Sequence, residues 1–335
     1  MKAPHKTALI DAEQILNVDN DSFGIRALAL FRYQYAHNEL YRQYCDALRT
    51  NVAAVTEVTQ IPFLPISFFK THTVLSGAAT VTDADIVFES SGTTGTVNSR
   101  HHVWDSRVYE DSLLMGFRQY YGEPGQYAIL ALLPSYLERA NASLVYMAKT
   151  LIAASGHQQN GFYLNEWERL RDTILQLEAS GTKAILLGVT FALLDLAELH
   201  PMQLRSTIVM ETGGMKGRRK EMTREEVHHE LKTAWGLPHI HSEYGMTELL
   251  SQAYALGEGI FRPTATMQVY VRDINDPLDV SHAGTGALNI VDLANIHSCA
   301  FIATEDIGTV GTDGTFTVLG RMDHSALRGC SLMAV

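Results

Sequence analysis

Ala184-Ile185-Leu186-Leu187-Gly188-Val189 is a short apolar run, and Phe191-Ala192-Leu193-Leu194-Asp195-Leu196-Ala197-Glu198-Leu199 follows it almost at once. The first reads as a buried strand and the second as a helix, because run length and flanking residues separate the two. The same alternation extends outward. Towards the N-terminus a strand over 127–133 precedes a helix over 142–154. Further back, Ile86-Val87-Phe88 is a strand that runs into a Ser/Gly/Thr loop. Towards the C-terminus come a strand over 206–210, a helix over 223–235 opened by Thr223 and Glu226 as a capping box, and a short strand over 239–242. Strands alternating with helices imply a parallel sheet with crossover helices, an α/β fold.

Outside this region the character changes. Residues 22–49 read as one or two helices with Ser22 as N-cap. Phe23, Ala27 and Phe31, then Leu40, Tyr44 and Leu48, form the inward stripe. Ile61-Pro62-Phe63-Leu64-Pro65-Ile66 is extended, since two prolines exclude helix. Beyond Gly257, short strands over 267–272, 286–291, 300–304 and 315–319 are separated by Gly, Asp and Asn turns. They point to antiparallel or barrel-like structure packed on the α/β core. The expected organisation is one domain over 1–335, divided into an α/β core (1–256), a β-rich part (257–320) and a hinge-like tail (321–335).

Of 335 residues 46% are hydrophobic and 19% charged, enough apolar material for a sizeable core. The net charge of −11 argues against a general nucleic-acid or anionic-membrane surface. An acidic chain still binds ATP where Mg²⁺, backbone N–H groups and a few local cations neutralise the phosphates. No apolar run nears the ~18 residues of a membrane span. The longest, Ile129-Leu130-Ala131-Leu132-Leu133, stops at Pro134, and Met1-Lys2-Ala3-Pro4-His5-Lys6 leads into no apolar signal region. Cys45, Cys299 and Cys330 are too few and scattered for a disulfide framework or zinc site, so a reducing, cytoplasmic setting is expected.

Three stretches carry possible chemistry. Ser90-Ser91-Gly92-Thr93-Thr94-Gly95-Thr96 follows the 86–88 strand; its glycines permit a tight turn and its hydroxyls add donors, which suits phosphate oxygens. It lacks the Gly-Lys-Ser/Thr of a Walker loop, and it also reads as a polar turn. Tyr244-Gly245-Met246-Thr247-Glu248 follows the 239–242 strand: Gly245 permits close backbone approach, Thr247 offers a hydroxyl, and Glu248 a carboxylate suited to Mg²⁺. It also reads as a helix start with Thr247 near the N-cap. Thr304-Glu305-Asp306 and Gly320-Arg321-Met322-Asp323 supply an aspartate able to accept from ribose hydroxyls and an arginine able to donate. Cys45 and Cys299 read as core. His239 and His241 alternate on the 239–242 strand and so share a face, in a core or pocket-lining role rather than a metal site. The pairs Phe68-Phe69 and Tyr120-Tyr121 read as packing.

In order along the chain, the Ser/Thr/Gly loop, a Gly213-Gly214 turn, Tyr-Gly-Met-Thr-Glu, the late aspartate and Gly-Arg-x-Asp resemble the adenylate-forming superfamily of acyl-CoA synthetases, firefly luciferase and adenylation domains. That resemblance implies the large N-terminal-type domain of these enzymes, parallel sheets with crossover helices plus a distorted β-barrel. It implies an acyl-adenylate made from a carboxylic acid and ATP with Mg²⁺. Ser90, Ser91, Gly92, Thr93, Thr94 and Gly95 would hold the β- and γ-phosphates. Gly213, Gly214, Tyr244, Gly245 and Met246 would border the nucleotide, with Tyr244 stacked near adenine. Thr247 would meet the α-phosphate, Glu248 hold Mg²⁺, and Asp306 and Arg321 take the ribose.

Two departures stand out. The phosphate loop usually ends in Pro-Lys, whereas here it continues Thr96-Val97-Asn98-Ser99-Arg100, leaving Arg100 or His101 as candidate substitutes. Gly-Arg-x-Asp usually begins a hinge to a mobile C-terminal domain, whereas Val335 lies twelve residues beyond Asp323, so that domain is not expected. The subgroup without it is the acyl-protein synthetase, or long-chain-fatty-acid–luciferin-component ligase, family, whose upstream signature Ile61-Pro62-Phe63-Leu64-Pro65-Ile66-Ser67-Phe68-Phe69-Lys70 resembles. By that resemblance the acid is fatty, the acyl group passes to Cys330, and a reductase-like partner protein receives it. A thiolate is a good nucleophile towards a mixed anhydride, and Arg328 nearby favours the thiolate. An acid–CoA ligase of the phenylacetate–CoA ligase type and a nucleotide-binding module without turnover remain as alternatives.

Overall fold

A computed structural model of the chain describes residues 15–90, 97–134, 141–164, 166–213 and 222–322. Every residue of strands β4 (Ala128–Leu132) and β6 (Ala184–Gly188) is buried, which is why both read as continuous apolar runs. They pair in parallel, Ala128 opposite Ala184 through Leu132 opposite Gly188. β7 (Thr207–Glu211) and β8 (His241–Tyr244) continue the parallel sheet on one side and β5 (Gly161–Phe162) on the other. The crossovers are helical: α5 (Ser143–Ser155), α6 (Trp167–Ser180), α7 (Thr190–Leu199) and α8 (Arg224–Trp235). Thr223 caps α8 with the expected capping box to Glu226.

At β8 the sheet changes character. β9 (Ala253–Ala255) pairs with it antiparallel. From there the order runs through β10 (Phe261–Pro263), β15 (Phe316–Arg321), β14 (Phe301–Val310), β13 (Gly284–Asp292) and β11 (Met267–Arg272) to β12 (Val280–Ser281). The extended Ile61–Ile66 stretch contributes β1 (Leu64–Pro65), parallel to the start of β14. Among the described residues no helix is long and apolar enough to cross a membrane.

Four expectations are corrected. Helix α1 (Asn20–His37) is capped by Asp19; its carboxylate accepts from Ser22 N at 2.9 Å and Ser22 Oγ accepts from Asp19 N at 3.1 Å, so Ser22 is the third helical residue of a capping box. Asn38 then ends α1 and caps α2 (Glu39–Ala47). β2 (Ile86–Glu89) is outside the parallel sheet: only Phe88 is buried, and the strand forms an antiparallel ribbon with β3 (Arg100–Val103). β8 begins at His241, which leaves His239 outside the strand and exposed beside Glu258. β14 runs six residues past Thr304, because its second half pairs with β15 as well as β13. The sequence reading also leaves α4 (Ser106–Tyr121) unassigned. Its buried stripe includes Ser112 and Gly116, which interrupt the apolar period, and a Cβ at Gly116 would meet Thr264 Cγ2 at 2.5 Å.

The N-terminal helices clamp the segment between β13 and β14. Gln34 Nε2 donates to Asn295 O at 2.8 Å and Gln34 Oε1 accepts from Ala300 N at 2.9 Å. Asn38 Nδ2 donates to Ser298 O at 3.0 Å, and Tyr41 Oη to Pro62 O at 2.7 Å. These side chains are fully buried or nearly so, and leaving one unmatched would cost about 1–3 kcal/mol.

Candidate active site

Where the sheet turns from parallel to antiparallel, a cavity of about 750 Å³ opens beyond the carboxyl ends of β7 and β8. α/β sheets bind ligands at such switch points, and the volume suits a small-molecule site. Ser90, Gly213, Tyr244, Glu248, Asp306 and Arg321 all line this one cavity, as do Gly245, Met246 and Thr247. Ser91, Gly92, Thr93, Thr94, Gly95, Gly214 and Cys330 lie outside the described residues, but Ser90 and Val97, which bracket the phosphate-loop candidate, both face the cavity. Ser90 and Ser99 tie the base of the loop: Ser90 N donates to Ser99 O at 3.1 Å, and Ser99 N to Ser90 Oγ at 2.9 Å.

Asp306 sits inside β14, opposite Arg321 on β15, rather than past the end of the 300–304 strand. Its carboxylate is fixed at both oxygens: Arg321 Nε donates to Oδ1 at 3.0 Å and Tyr244 Oη to Oδ2 at 2.9 Å. Asp306 is only 4% exposed, whereas the Arg321 side chain is 71% exposed and reaches the opening. Tyr244 is wedged against Phe316 and Phe261, with ring centroids 5.3 and 5.7 Å away. Each Asp306 oxygen keeps a lone pair for a further donor.

Thr247 and Glu248 occupy a turn rather than a helix start. Two buried groups hold it. Asp292, on β13, accepts from Leu250 N at 2.7 Å, from Ser251 N at 3.0 Å and from Ser251 Oγ at 2.6 Å. His101, on β3, lies 3.0 Å from Thr247 O through Nδ1 and 3.0 Å from Ser298 Oγ through Nε2. A carbonyl only accepts, so Nδ1 carries the proton and Nε2 accepts from Ser298. Burial lowers the imidazole to about 4, which keeps it neutral. His101 is therefore no cationic substitute for the loop lysine; Arg100, the other candidate, is bound through Nε at 3.1 Å to Glu89 on the paired strand β2. Burial raises the Glu248 carboxyl, while a hydrogen bond from Ser99 opposes that shift.

Among the described residues, the cations that line the cavity are Lys70, Arg224 and Arg321. Lys70, on the short helix α3 (Phe68–Thr71), is exposed, lowers the Glu248 carboxyl through its charge, and makes no ion pair among the described residues. Arg224 begins α8, its guanidinium 5.0 Å over the Phe261 ring. Both were within reach of sequence reading: Lys70 closes the stretch that begins at Ile61, and Arg224 follows the capping Thr223. Glu243 carried no such signal. It is 7% exposed, accepts from Thr212 Oγ1 at 2.6 Å, and burial pushes its carboxyl up to about 7.

The donor set suits Mg²⁺, which keeps several waters and takes one or two carboxylates beside substrate phosphates. Glu248 is such a carboxylate, 5% exposed and facing the cavity. Among the described residues no three His, Cys, Asp or Glu side chains gather as a protein-only metal site. Cys45 and Cys299 are buried, and burial pushes the Cys45 thiol up to about 12 and raises that of Cys299, so both behave as core. His241 is half-buried, 3.1 Å from Tyr121 Oη.

Residues 15–122 match the family described as acyl-protein synthetase, LuxE. A stretch of 68 residues, 20% of the chain, is 37% identical to the long-chain-fatty-acid–luciferin-component ligase of Photorhabdus luminescens and covers 56% of it. Three solved structures share the fold. ATP-bound MatB from Rhodopseudomonas palustris matches 71% of this chain and 48% of its own, with 17% identity and a TM-score of 0.51. The long-chain-fatty-acid–CoA ligase FadD1 of Archaeoglobus fulgidus matches 74% and 53%, with 14% identity and a TM-score of 0.52. O-succinylbenzoate coenzyme A synthetase of Bacillus subtilis, solved with ATP and magnesium, matches 72% and 51%, with 16% identity and a TM-score of 0.51. The chain thus spans about half the length of these relatives. It has the fold of the N-terminal domain of adenylate-forming enzymes, and its likeness within them is to the acyl-protein synthetases.

Proposed function

We propose that the chain is an adenylation domain that activates a carboxylic acid with ATP, forming an acyl-adenylate and pyrophosphate. The observation that carries this reading is the convergence of Ser90, Glu248 and Asp306 on one cavity from widely separated segments. Asp306, held by Tyr244 and Arg321, grips the ribose hydroxyls; Gly213 and Gly214 border the adenine; the 90–95 loop and Thr247 meet the phosphates. A carboxylate oxygen of the acid bonds to the α-phosphorus as the bond from that phosphorus to the bridging β-oxygen breaks. Anion repulsion is the main obstacle, so the protein's part is to position the reactants and offset charge. Mg²⁺ held by Glu248 shields the triphosphate when bound. Lys70, Arg224 and Arg321 place three cations at the cavity of an otherwise acidic chain.

The acyl group then passes to Cys330: the thiolate attacks the acyl carbonyl, the carbonyl–phosphate bond breaks, and AMP leaves. The fatty character of the acid is supported by the likeness to the long-chain-fatty-acid–luciferin-component ligase; a reductase-like acceptor protein and a cytoplasmic setting complete the proposal.

Carboxylate-dependent exchange of pyrophosphate into ATP, with intact-protein mass spectrometry, tests both steps. Exchange with at least one acid, and an acyl adduct lost in Cys330→Ser while exchange persists, is the expected result. Exchange with no acid in a broad panel overturns the activation chemistry and leaves a nucleotide-binding module. Unaltered thioester labelling in Cys330→Ser rejects the acceptor thiol, and acyl-CoA formed without Cys330 makes the chain an acid–CoA ligase.

A further inference from the structure

Side chains alternate along β8, and by the face they share the residues lining the cavity form two groups, its two arms. Tyr244 faces Phe261, Phe316 and Asp306, the proposed nucleotide side. Glu243, one residue earlier, faces the other side of the sheet. Its cross-strand neighbour is Tyr254 on β9, which packs against Tyr120 and Tyr121 of α4. On this second side α4 brings Tyr109 to the cavity, and α5 with the residues before it brings Ala142, Leu144 and Met147. With the nucleotide in the first arm, the second is left for the acid. Apart from Ser143 and the Tyr109 hydroxyl, these residues present an apolar wall, as an acyl chain requires.

That arm also carries polar side chains. Glu243 and Gln252 both line the cavity, 7% and 3% exposed. Gln252 Oε1 is buried without a hydrogen-bond partner among the described residues. Thr212 serves Glu243 Oε2, while Oε1 lies against Gly245, where a Cβ would come within 2.5 Å of it and within 3.8 Å of Gln252 Cγ. Gly245 thus leaves room for Glu243 Oε1 beside the Gln252 side chain, whose own oxygen is unmatched among the described residues. An unbranched alkyl chain laid there leaves them unmet, and buried acceptors without donors are what a site discriminates by most strongly.

We infer that this arm takes a carboxylic acid whose chain carries a hydrogen-bond donor, a hydroxyl or an ammonium group, received by the Glu243 carboxyl and the Gln252 amide. This deepens the acid-activation reading and rests on it for the placement of the nucleotide.

The test uses the full chain and three acids at each of several chain lengths: the plain alkyl acid, its ω-hydroxy counterpart and its ω-amino counterpart. Pyrophosphate exchange gives kcat/KM, and the melting-temperature shift with each acid gives binding independently of chemistry. At the best length a donor-bearing acid is expected to exceed the alkyl acid by about 10-fold or more. The ammonium ahead of the hydroxyl identifies an ionic partner for Glu243, and the reverse a neutral donor. In Glu243→Met the ratio of donor-bearing to alkyl acid is expected to fall to about one. A ratio within one sample does not depend on how much of the variant folds, and Glu243→Gln, which keeps an acceptor, should retain much of the preference. Alkyl acids equal to or better than their donor-bearing counterparts at every length overturn the inference. Absence of exchange in all series, with the binding preference intact, overturns the activation chemistry and leaves the inference standing.

Discussion

At the level of single residues, the cavity concentrates groups whose ordinary acidity the fold has altered. Glu243 illustrates the consequence for stability. Below its ordinary value of 4.5 the carboxyl is protonated in both folded and unfolded chains and costs nothing. As pH rises towards about 7 the unfolded chain ionises first, the folded chain holds its proton, and the native state loses ground. At about 1.4 kcal/mol for each tenfold change in proton concentration, the loss is at most about 3.5 kcal/mol, complete above pH 7. Glu243→Gln is therefore expected to melt near the wild-type temperature at pH 4 and above it at pH 8; a difference independent of pH would refute the assignment. Lys70 matters by its position at the cavity. A charge-assisted contact to a phosphate is worth roughly 1.5–3 kcal/mol. Lys70→Met should accordingly lower kcat/KM for ATP in pyrophosphate exchange by about 10- to 100-fold, with Lys70→Arg recovering part of it. Tyr244, Glu248 and Asp306 were legible as a group because motif order brings them to attention. Glu243 and Gln252 were not, since nothing in the sequence says which glutamate or glutamine is buried.

At the level of elements, what could be read depended on whether burial left a simple pattern. β4 and β6 are buried along their whole length, and α8 announces itself by Thr223 and Glu226. α4 hides its inward face behind Ser112 and Gly116, and β3 carries Arg100, His101 and His102, polar residues that its contacts with Glu89 and Thr247 require. These unannounced elements tie the site together. Gln34 and Asn38 hold the segment before β14, Ser298 of that segment meets His101, and His101 meets the turn bearing Glu248. The matched acyl-protein synthetase region, residues 15–122, supplies the clamp and the histidine. Asp292 anchors the same turn from β13, fully buried, and also accepts from Ala294 N at 3.0 Å. Asp292→Ala strands donors on Leu250, Ser251 and Ala294, and a loss of about 3–5 kcal/mol is expected from the urea midpoint. Thr223→Ala removes one cap on a helix far better supported, so about 1 kcal/mol is expected there. Equal losses would mean that the turn is not held as described.

At the level of the whole molecule, the cavity lies where a parallel sheet gives way to an antiparallel one, and each half supplies what the other lacks. β7, β8 and α8 bring Gly213, Tyr244 and Arg224; β14 and β15 bring Asp306 and Arg321. A nucleotide bound between them contacts both halves, so its binding energy is added to the cooperative stability of the fold. A ligand at about 100 times its dissociation constant adds about 2.7 kcal/mol to unfolding. A chain of 335 residues unfolds with an entropy of roughly 0.7 kcal/mol per kelvin at ~2.1 cal/mol/K per residue, which makes the shift about 4 °C. A non-hydrolysable ATP analogue with Mg²⁺ should raise the melting temperature by that amount. Asp306→Ala should abolish the rise, because Tyr244 and Arg321 lose the carboxylate they share along with the ribose contact. Glu248→Gln should keep the metal-free part of the shift and lose the increment that Mg²⁺ adds. An undiminished response in Asp306→Ala would place the nucleotide elsewhere, and the single-cavity reading would fall with it.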